Sequence, residues 1–217
     1  RSTGDPMQRR YMLDGWARKR IDPALDAVGR ALHRGGVSAN AVTLTSFAVG
    51  MAAAVAIAFG LLWLGLALIL LSRLGDGLDG AVAKLAGRTD LGGYLDIVLD
   101  FAFYGAIPLA FVILDPAQNG VAGAVLLAVF YANGASFLAY AIMAEKRGIA
   151  SDVRGSKSLF FTTGLAEATE TIAIFLAFCV FPAWFAAIAY AFAGVTAYTA
   201  LSRIVLAWRQ FGGSNAA

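Results

Sequence analysis

Four aspartates in the first half of the chain stand at spacings that suit a metal site. Asp76 and Asp79 are three residues apart, and Asp96 and Asp100 are four apart. Residues three or four apart share one face of a helix, so each helix would present one acidic face. Four converging carboxylates repel one another unless a divalent cation neutralises them, and oxygen ligands suit magnesium, manganese or calcium better than zinc. The spacing therefore predicts a hard-cation site, with neutral, hydrogen-bonded aspartates as the alternative.

These aspartates lie in segments that are otherwise apolar. The 217 residues are 59% hydrophobic and 14% charged, against about 25% charged in a soluble domain. An ionisable side chain inside a membrane span costs about 2.5–3.5 kcal/mol, so each one needs a partner or a function. Asp76 and Asp100 each lie about 15 Å along a helix from the turn at residues 86–90. Antiparallel packing of the two helices would bring the acidic pairs together.

The apolar runs predict an all-α, polytopic integral membrane protein with six transmembrane helices, because about 20 residues cross the hydrocarbon layer. The six spans are placed at 40–60, 62–86, 91–114, 119–145, 158–181 and 183–211. Residues 8–35 mix apolar and basic side chains and are expected to form an amphipathic interfacial helix, broken near Pro23. Residues 1–37 would then be a tail and juxtamembrane helix, 38–212 the six-helix domain, and 213–217 a C-terminal tail.

The basic residues predict the orientation of the chain in the membrane. Eight of the 17 lysines and arginines precede residue 35, and most of the others fall at the second and fourth turns or near the end of the chain. The expected loops at 60–65, 115–120 and 181–184 carry none. The positive-inside rule therefore places both termini and the aspartates in or facing the cytoplasm, in a plasma or inner membrane. Bases so distributed indicate lipid as the partner and not nucleic acid.

The stretch that contains the aspartates resembles the signature of the CDP-alcohol phosphotransferases, also called CDP-alcohol phosphatidyltransferases. That signature is D-x2-D-G-x2-A-R-x8-G-x3-D-x3-D, and residues 76–100 read DGLDGAVAKLAGRTDLGGYLDIVLD. Lys84 stands where the family has arginine, and seven residues instead of eight separate it from Gly92. The six-span layout with an N-terminal surface helix also matches the family over most of the chain.

The resemblance implies transfer of a phosphatidyl group from a CDP-linked donor such as CDP-diacylglycerol to an alcohol, with release of CMP, by a homodimer. It implies that Asp76, Asp79, Asp96 and Asp100 hold Mg2+ or Mn2+, as two ions, and that Asp100 is the catalytic base. Donor-binding positions would be Asn40, Thr43, Gly80, Ala83, Lys84 and Gly92. Helix packing would also explain the small residues, and helix capping by Ser38 or Asn40 would also explain the residues that open the first span.

The acceptor alcohol is indicated only by a basic loop. Arg147, Arg154 and Lys157 are candidates to bind a phosphorylated acceptor such as glycerol 3-phosphate or an inositol phosphate. Glu167 is expected at a depth close to that of Asp76 and Asp100, where it would line the same cavity and contribute to acceptor binding. Positive-inside bias alone also explains these bases, which leaves serine or a lipid acceptor open. Arg73 and Glu170 lie deeper in their spans, where a buried ion pair is the simpler explanation for each.

Two other functions fit a helical membrane protein with buried acids. An intramembrane magnesium-dependent prenyltransferase would show D-D-x-x-D motifs and about nine spans. A cation transporter would show inverted repeats and interrupted helices. The sequence has none of these features, so the transferase is favoured.

Overall fold

The computed structural model describes residues 25–148 and 168–212, and within these ranges the regular structure is helical, without a strand. Residues 25–34 form α1. The other helices are α2 Ala39–Ala58, α3 Leu62–Ala86, α4 Asp90–Leu114, α5 Pro116–Lys146, α6 Ala168–Val180 and α7 Phe185–Phe211, with a short 3-10 helix at Pro182–Trp184 before α7. The predicted all-α fold is confirmed. Most of the predicted interfacial helix at 8–35, and the tail at 213–217, lie outside the described residues.

The predicted spans agree with α2 to α5 and with α7 to within a few residues, but the expected polar loop at 115–120 is wrong. Helix α5 begins at Pro116, so a single residue joins it to α4. The Asp115 carboxylate accepts a hydrogen bond from the backbone N–H of Gln118 at 3.0 Å, and proline suits the first turn because it has no N–H to satisfy. The polar residues of this stretch therefore start a helix.

Four described segments are long and apolar enough to cross a membrane. They are Ala39–Ala58, Asp90–Leu114, Pro116–Lys146 and Pro182–Phe211. Helix α3 has 25 residues, but Arg73, Asp76 and Asp79 fall within every 18-residue stretch of it, which is more charge than an ordinary span carries. The described part of α6 is a shorter apolar helix. The chain is thus a helical membrane protein, and the predicted count of six spans is not established.

The chain divides into two compact units, to which α2, α3 and α4 each contribute residues. We call them the aspartate unit, which is residues up to Met51 together with Leu68–Asp100, and the aromatic unit, which is Ala52–Ala67 together with residues from Phe101 onward.

Small and hydroxylated residues pack the helices of the aspartate unit. The Ser72 hydroxyl on α3 donates to the Ser46 carbonyl on α2 at 2.7 Å. The Cα of Gly75 faces the same serine so closely that an added Cβ would lie 3.0 Å from the Ser46 Cβ. On another face of α3, Gly29 of α1 approaches Ala81 in the same manner. Close backbone approach is the usual basis of helix association in a membrane, where apolar burial gives little driving force.

Phenylalanines fill the core of the aromatic unit. The fully buried members of this cluster are Phe103, Phe111, Phe175, Phe178 and Phe185. Phe111 and Phe185 stack with their ring centroids 5.1 Å apart. Each such pair contributes about 0.5–1.5 kcal/mol beyond its apolar burial. This cluster joins α4, α6 and α7 within the unit.

Substitution of Gly75 tests the close approach of α2 and α3. We expect Gly75→Ala to destabilise the protein by about 1–3 kcal/mol, because the Ser46 hydroxyl that it would displace donates to the Val42 carbonyl at 2.8 Å. Gly93→Ala is the control, since an added Cβ meets nothing within 4 Å there and alanine favours a helix by about 0.5–1 kcal/mol. Thermal unfolding in detergent measures both variants; equal stability of the two would contradict this packing.

Candidate metal and nucleotide site

Three of the four signature aspartates meet in the aspartate unit. Oxygen atoms of Asp76, Asp96 and Asp100, one from each carboxylate, lie within 4.8 Å of one another. Helix α3 contributes the first, and α4 contributes the other two from positions four residues apart, which share a helix face. The predicted convergence of the two acidic faces therefore occurs for these three carboxylates.

The fourth aspartate faces α2. Asp79 is buried, and its Oδ2 accepts a hydrogen bond from the Thr43 hydroxyl at 2.6 Å. Thr43 is buried as well. A charge-assisted hydrogen bond between buried groups fixes the side-chain orientation of both partners. The Thr43–Asp79 contact is thus a rigid link between the first span and the signature helix.

A guanidinium lies among the three clustered carboxylates. Arg73 Nη1 donates to Asp100 Oδ1 at 2.8 Å and lies 3.5 Å from Asp76 Oδ1. The ion pair that the sequence favoured for Arg73 is confirmed, with two aspartates as its partners. For Glu170, the carboxylate Oε2 is buried and has no hydrogen-bond partner among the described residues, so the ion pair expected there is not found in this part of the chain.

The candidate donor-binding residues differ in their surroundings. Gly92 approaches Asn40 so closely that an added Cβ would lie 3.0 Å from Asn40 Oδ1. At Gly80 an added Cβ meets nothing within 4 Å, so packing among the described residues does not require a glycine there. Ala83 is half-buried and Lys84 is exposed.

Capping does not explain the polar residues of the first span. The Ser38 hydroxyl accepts a hydrogen bond from the backbone N–H of Ala41 at 3.2 Å, which is the N-cap interaction of α2. Asn40 and Thr43 lie inside the helix, which begins at Ala39. Neither side chain therefore caps the helix. Asn40 lies close to Gly92, and Thr43 bonds Asp79.

Of the candidate acceptor-binding residues, the structure describes Arg147 alone, and Arg154, Lys157 and Glu167 lie outside the described residues. The Arg147 guanidinium donates to the backbone carbonyls of Gln210 and Phe211, at 3.3 and 3.1 Å, and lies over the Phe211 ring. A cation at the carbonyl end of a helix is favoured by the helix dipole. This residue joins the ends of α5 and α7, a role that the sequence pattern did not indicate.

A small cavity opens at the aspartate cluster. Its lining residues are Thr43, Phe47, Arg73, Asp76, Asp96, Leu99 and Asp100. Its volume of about 10 Å³ is near that of one water-sized occupant. The donor atoms are carboxylate and hydroxyl oxygens, without nitrogen or sulfur ligands, and such a set fits a hard divalent cation. The residues present are therefore suited to a divalent metal ion.

Curated relatives cover almost the whole chain. The chain is 43% identical over 193 residues to the inner membrane protein YnjF of Escherichia coli K12, a match that covers 89% of this chain and 94% of the relative. It is 30% identical over 199 residues to the archaetidylinositol phosphate synthase of Methanothermobacter thermautotrophicus, covering 89% and 91%. The first relative supports location in an inner membrane.

Solved structures share the fold. The phosphatidylinositol phosphate synthase of Mycobacterium tuberculosis with CDP-DAG bound superposes with a TM-score of 0.65 at 23% identity, covering 85% of this chain and 93% of that one. The same synthase in complex with manganese and citrate gives a TM-score of 0.63 at 22% identity, covering 85% of this chain and 88% of that one.

The sequence model of the CDP-alcohol phosphatidyltransferase family matches residues 37–208. With the signature aspartates assembled inside that range, the chain belongs to the CDP-alcohol phosphatidyltransferase family and is an enzyme of that class.

Proposed function

We propose that this enzyme transfers a phosphatidyl group from CDP-diacylglycerol to a phosphorylated alcohol and releases CMP. The convergence of Asp76, Asp96 and Asp100 within 4.8 Å is the observation that carries the proposal. Carboxylates so close together are suited to bind a divalent cation, and cleavage of a diphosphate-linked donor is assisted by one. The relatives named for CDP-DAG and for inositol phosphate products support this choice of donor and acceptor class.

The proposed cofactor is Mg2+ or Mn2+, held by Asp76, Asp79, Asp96 and Asp100, with two ions in the complex with donor. The oxygen-only donor set and the manganese complex of the mycobacterial synthase support it. Bound divalent cations supply charge neutralisation for the diphosphate of the donor. The hydrogen bond from Thr43 fixes the orientation of the Asp79 carboxylate.

The remaining roles belong to side chains of the aspartate unit. Asp100 accepts the proton of the attacking hydroxyl as general base. Lys84 attracts the donor diphosphate as a point charge, without the bidentate geometry of the family's arginine. The nucleotide would lie against Asn40, Thr43, Gly80, Ala83 and Gly92, and the open space at Gly80 supports close approach of a ligand to the backbone there.

The acceptor is proposed to be a phosphorylated polyol, bound through its phosphate by the basic residues that follow α5 in the sequence. Arg154 and Lys157 are the residues of that segment best suited to the task, with Glu167 nearby in sequence. Arg147 would contribute to the positive charge there while it holds the end of α7. The distribution of lysine and arginine supports a cytoplasmic site with both termini on the same side. A homodimer, as the family resemblance implies, is part of the same proposal.

An assay of CMP release tests the proposed reaction. Purified protein in detergent is given CDP-diacylglycerol with glycerol 3-phosphate, an inositol phosphate, serine or phosphatidylglycerol. We expect release with a phosphorylated alcohol, its loss in a chelator, and its return with Mg2+ or Mn2+, because the clustered carboxylates need a cation. Full activity in the chelator would contradict the metal site, and release with serine or phosphatidylglycerol alone would contradict the phosphorylated acceptor.

Two asparagine variants separate the base from the metal ligands. We expect Asp100→Asn to abolish CMP release while donor affinity stays within a few fold, because an amide cannot accept the proton. Asp76→Asn should weaken Mn2+ and donor binding as well. Binding is measured with CDP-diacylglycerol by calorimetry, and thermal unfolding confirms that both variants are folded. Equal loss of donor affinity in the two variants would contradict a separate role for Asp100 as the base.

A further inference from the structure

Arg73 is a charged residue beside the aspartates that has no role in the proposed reaction. It precedes the first signature aspartate by three residues and lies outside the signature. Its side chain is 16% exposed, in the middle of an apolar helix. An arginine inside a membrane protein is costly unless it is paired, so its place here calls for an explanation.

The surroundings of Arg73 hold its guanidinium against the carboxylates. Nη1 donates to Asp100 and lies near Asp76, while Nη2 donates to the Ser72 hydroxyl at 3.3 Å. That hydroxyl in turn donates to the Ser46 carbonyl on α2. A chain of hydrogen bonds therefore runs from the neighbouring helix to the arginine, and from the arginine to the proposed base.

The charges of the cluster make Arg73 a competitor for the metal ion. The guanidinium is paired with the carboxylates of Asp100 and Asp76, so a divalent cation that binds the cluster meets a fixed positive charge on two of its proposed ligands. The cavity beside it has room for about one water-sized occupant while Arg73 lines it. Coordination of a cation by Asp100 Oδ1 would have to displace the guanidinium from that oxygen.

We infer that Arg73 is a tethered cation that stabilises the aspartate cluster in the metal-free enzyme and opposes divalent-ion binding until Asp100 is released from it. The inference rests on the proposed metal site. It gives Arg73 a positioning role, because the arginine acts through Asp100 and Asp76. An arginine that only supports the fold would stabilise the metal-free and metal-loaded protein equally.

The test compares Mn2+ binding and thermal unfolding in four full-length proteins. These are the wild type, Arg73→Gln, Arg73→Lys and Arg203→Gln. Arg203 is the matched control, because it is also a part-buried arginine, but its described hydrogen-bond partners are the neutral groups of Asn133 and Ser136. Free Mn2+ is followed by electron paramagnetic resonance, and unfolding is recorded with a chelator and with saturating Mn2+.

We expect Arg73→Gln to bind Mn2+ about tenfold more tightly than the wild type, since it removes a positive charge that faces the same carboxylates. Its unfolding temperature should fall in the chelator and recover with Mn2+. Arg73→Lys keeps the charge and should remain close to the wild type. Arg203→Gln should lower the unfolding temperature equally in both conditions.

If Arg73→Gln folds only when Mn2+ is present, that rescue also supports the inference, and failure of Mn2+ to rescue it would overturn it. Unchanged or weaker Mn2+ binding by Arg73→Gln, with normal binding by the wild type, would overturn the role of Arg73 alone. No Mn2+ binding by the wild type would overturn the metal site, and the role of Arg73 with it.

Discussion

Repulsion among carboxylates in an apolar environment is the constraint on which the aspartate unit depends. Asp76, Asp96 and Asp100 lie within 4.8 Å of one another on helices that pack in a membrane protein. At such distances like charges cost several kcal/mol even at an effective dielectric constant of about 20. A nearby cation offsets this repulsion, and Arg73 supplies one from the chain itself. The same unbalanced charge makes the site attractive to a divalent ion and to the diphosphate that such an ion binds.

The helix packing serves this cluster by fixing α3 against its neighbours without bulky side chains. Gly75 and Ser72 lie on either side of Arg73 in sequence, and both contact Ser46 on α2. The link between Asp79 and Thr43 lies one to two turns further along the same pair of helices. Small residues here bring the backbones close, so the polar groups of α2 reach the carboxylates directly. The positions of Asp76 and Asp79 on α3 thus depend on the packing of that helix against α2.

Much of this arrangement could be predicted from the sequence, because it depends on helical periodicity. The i, i+3 and i, i+4 spacing of the acids predicted their shared faces, and the charge-free runs predicted the helices. The partners across helices could not be predicted in the same way: nothing in the spacing indicates that Thr43 meets Asp79 or that Arg73 bonds Asp100. The loop expected at 115–120 was wrong because polarity was taken as a sign of irregular structure, whereas Asp115 and Pro116 start a helix.

The clustered aspartates of α3 and α4 are proposed to bind the catalytic metal. Anomalous X-ray scattering from crystals grown with Mn2+ measures this most directly, because it locates the ion independently of any effect on activity. We expect an anomalous peak among the carboxylates of Asp76, Asp96 and Asp100, with Arg73 withdrawn from Asp100. A peak elsewhere in the protein, with the Arg73–Asp100 pair intact and the cluster empty, would contradict it.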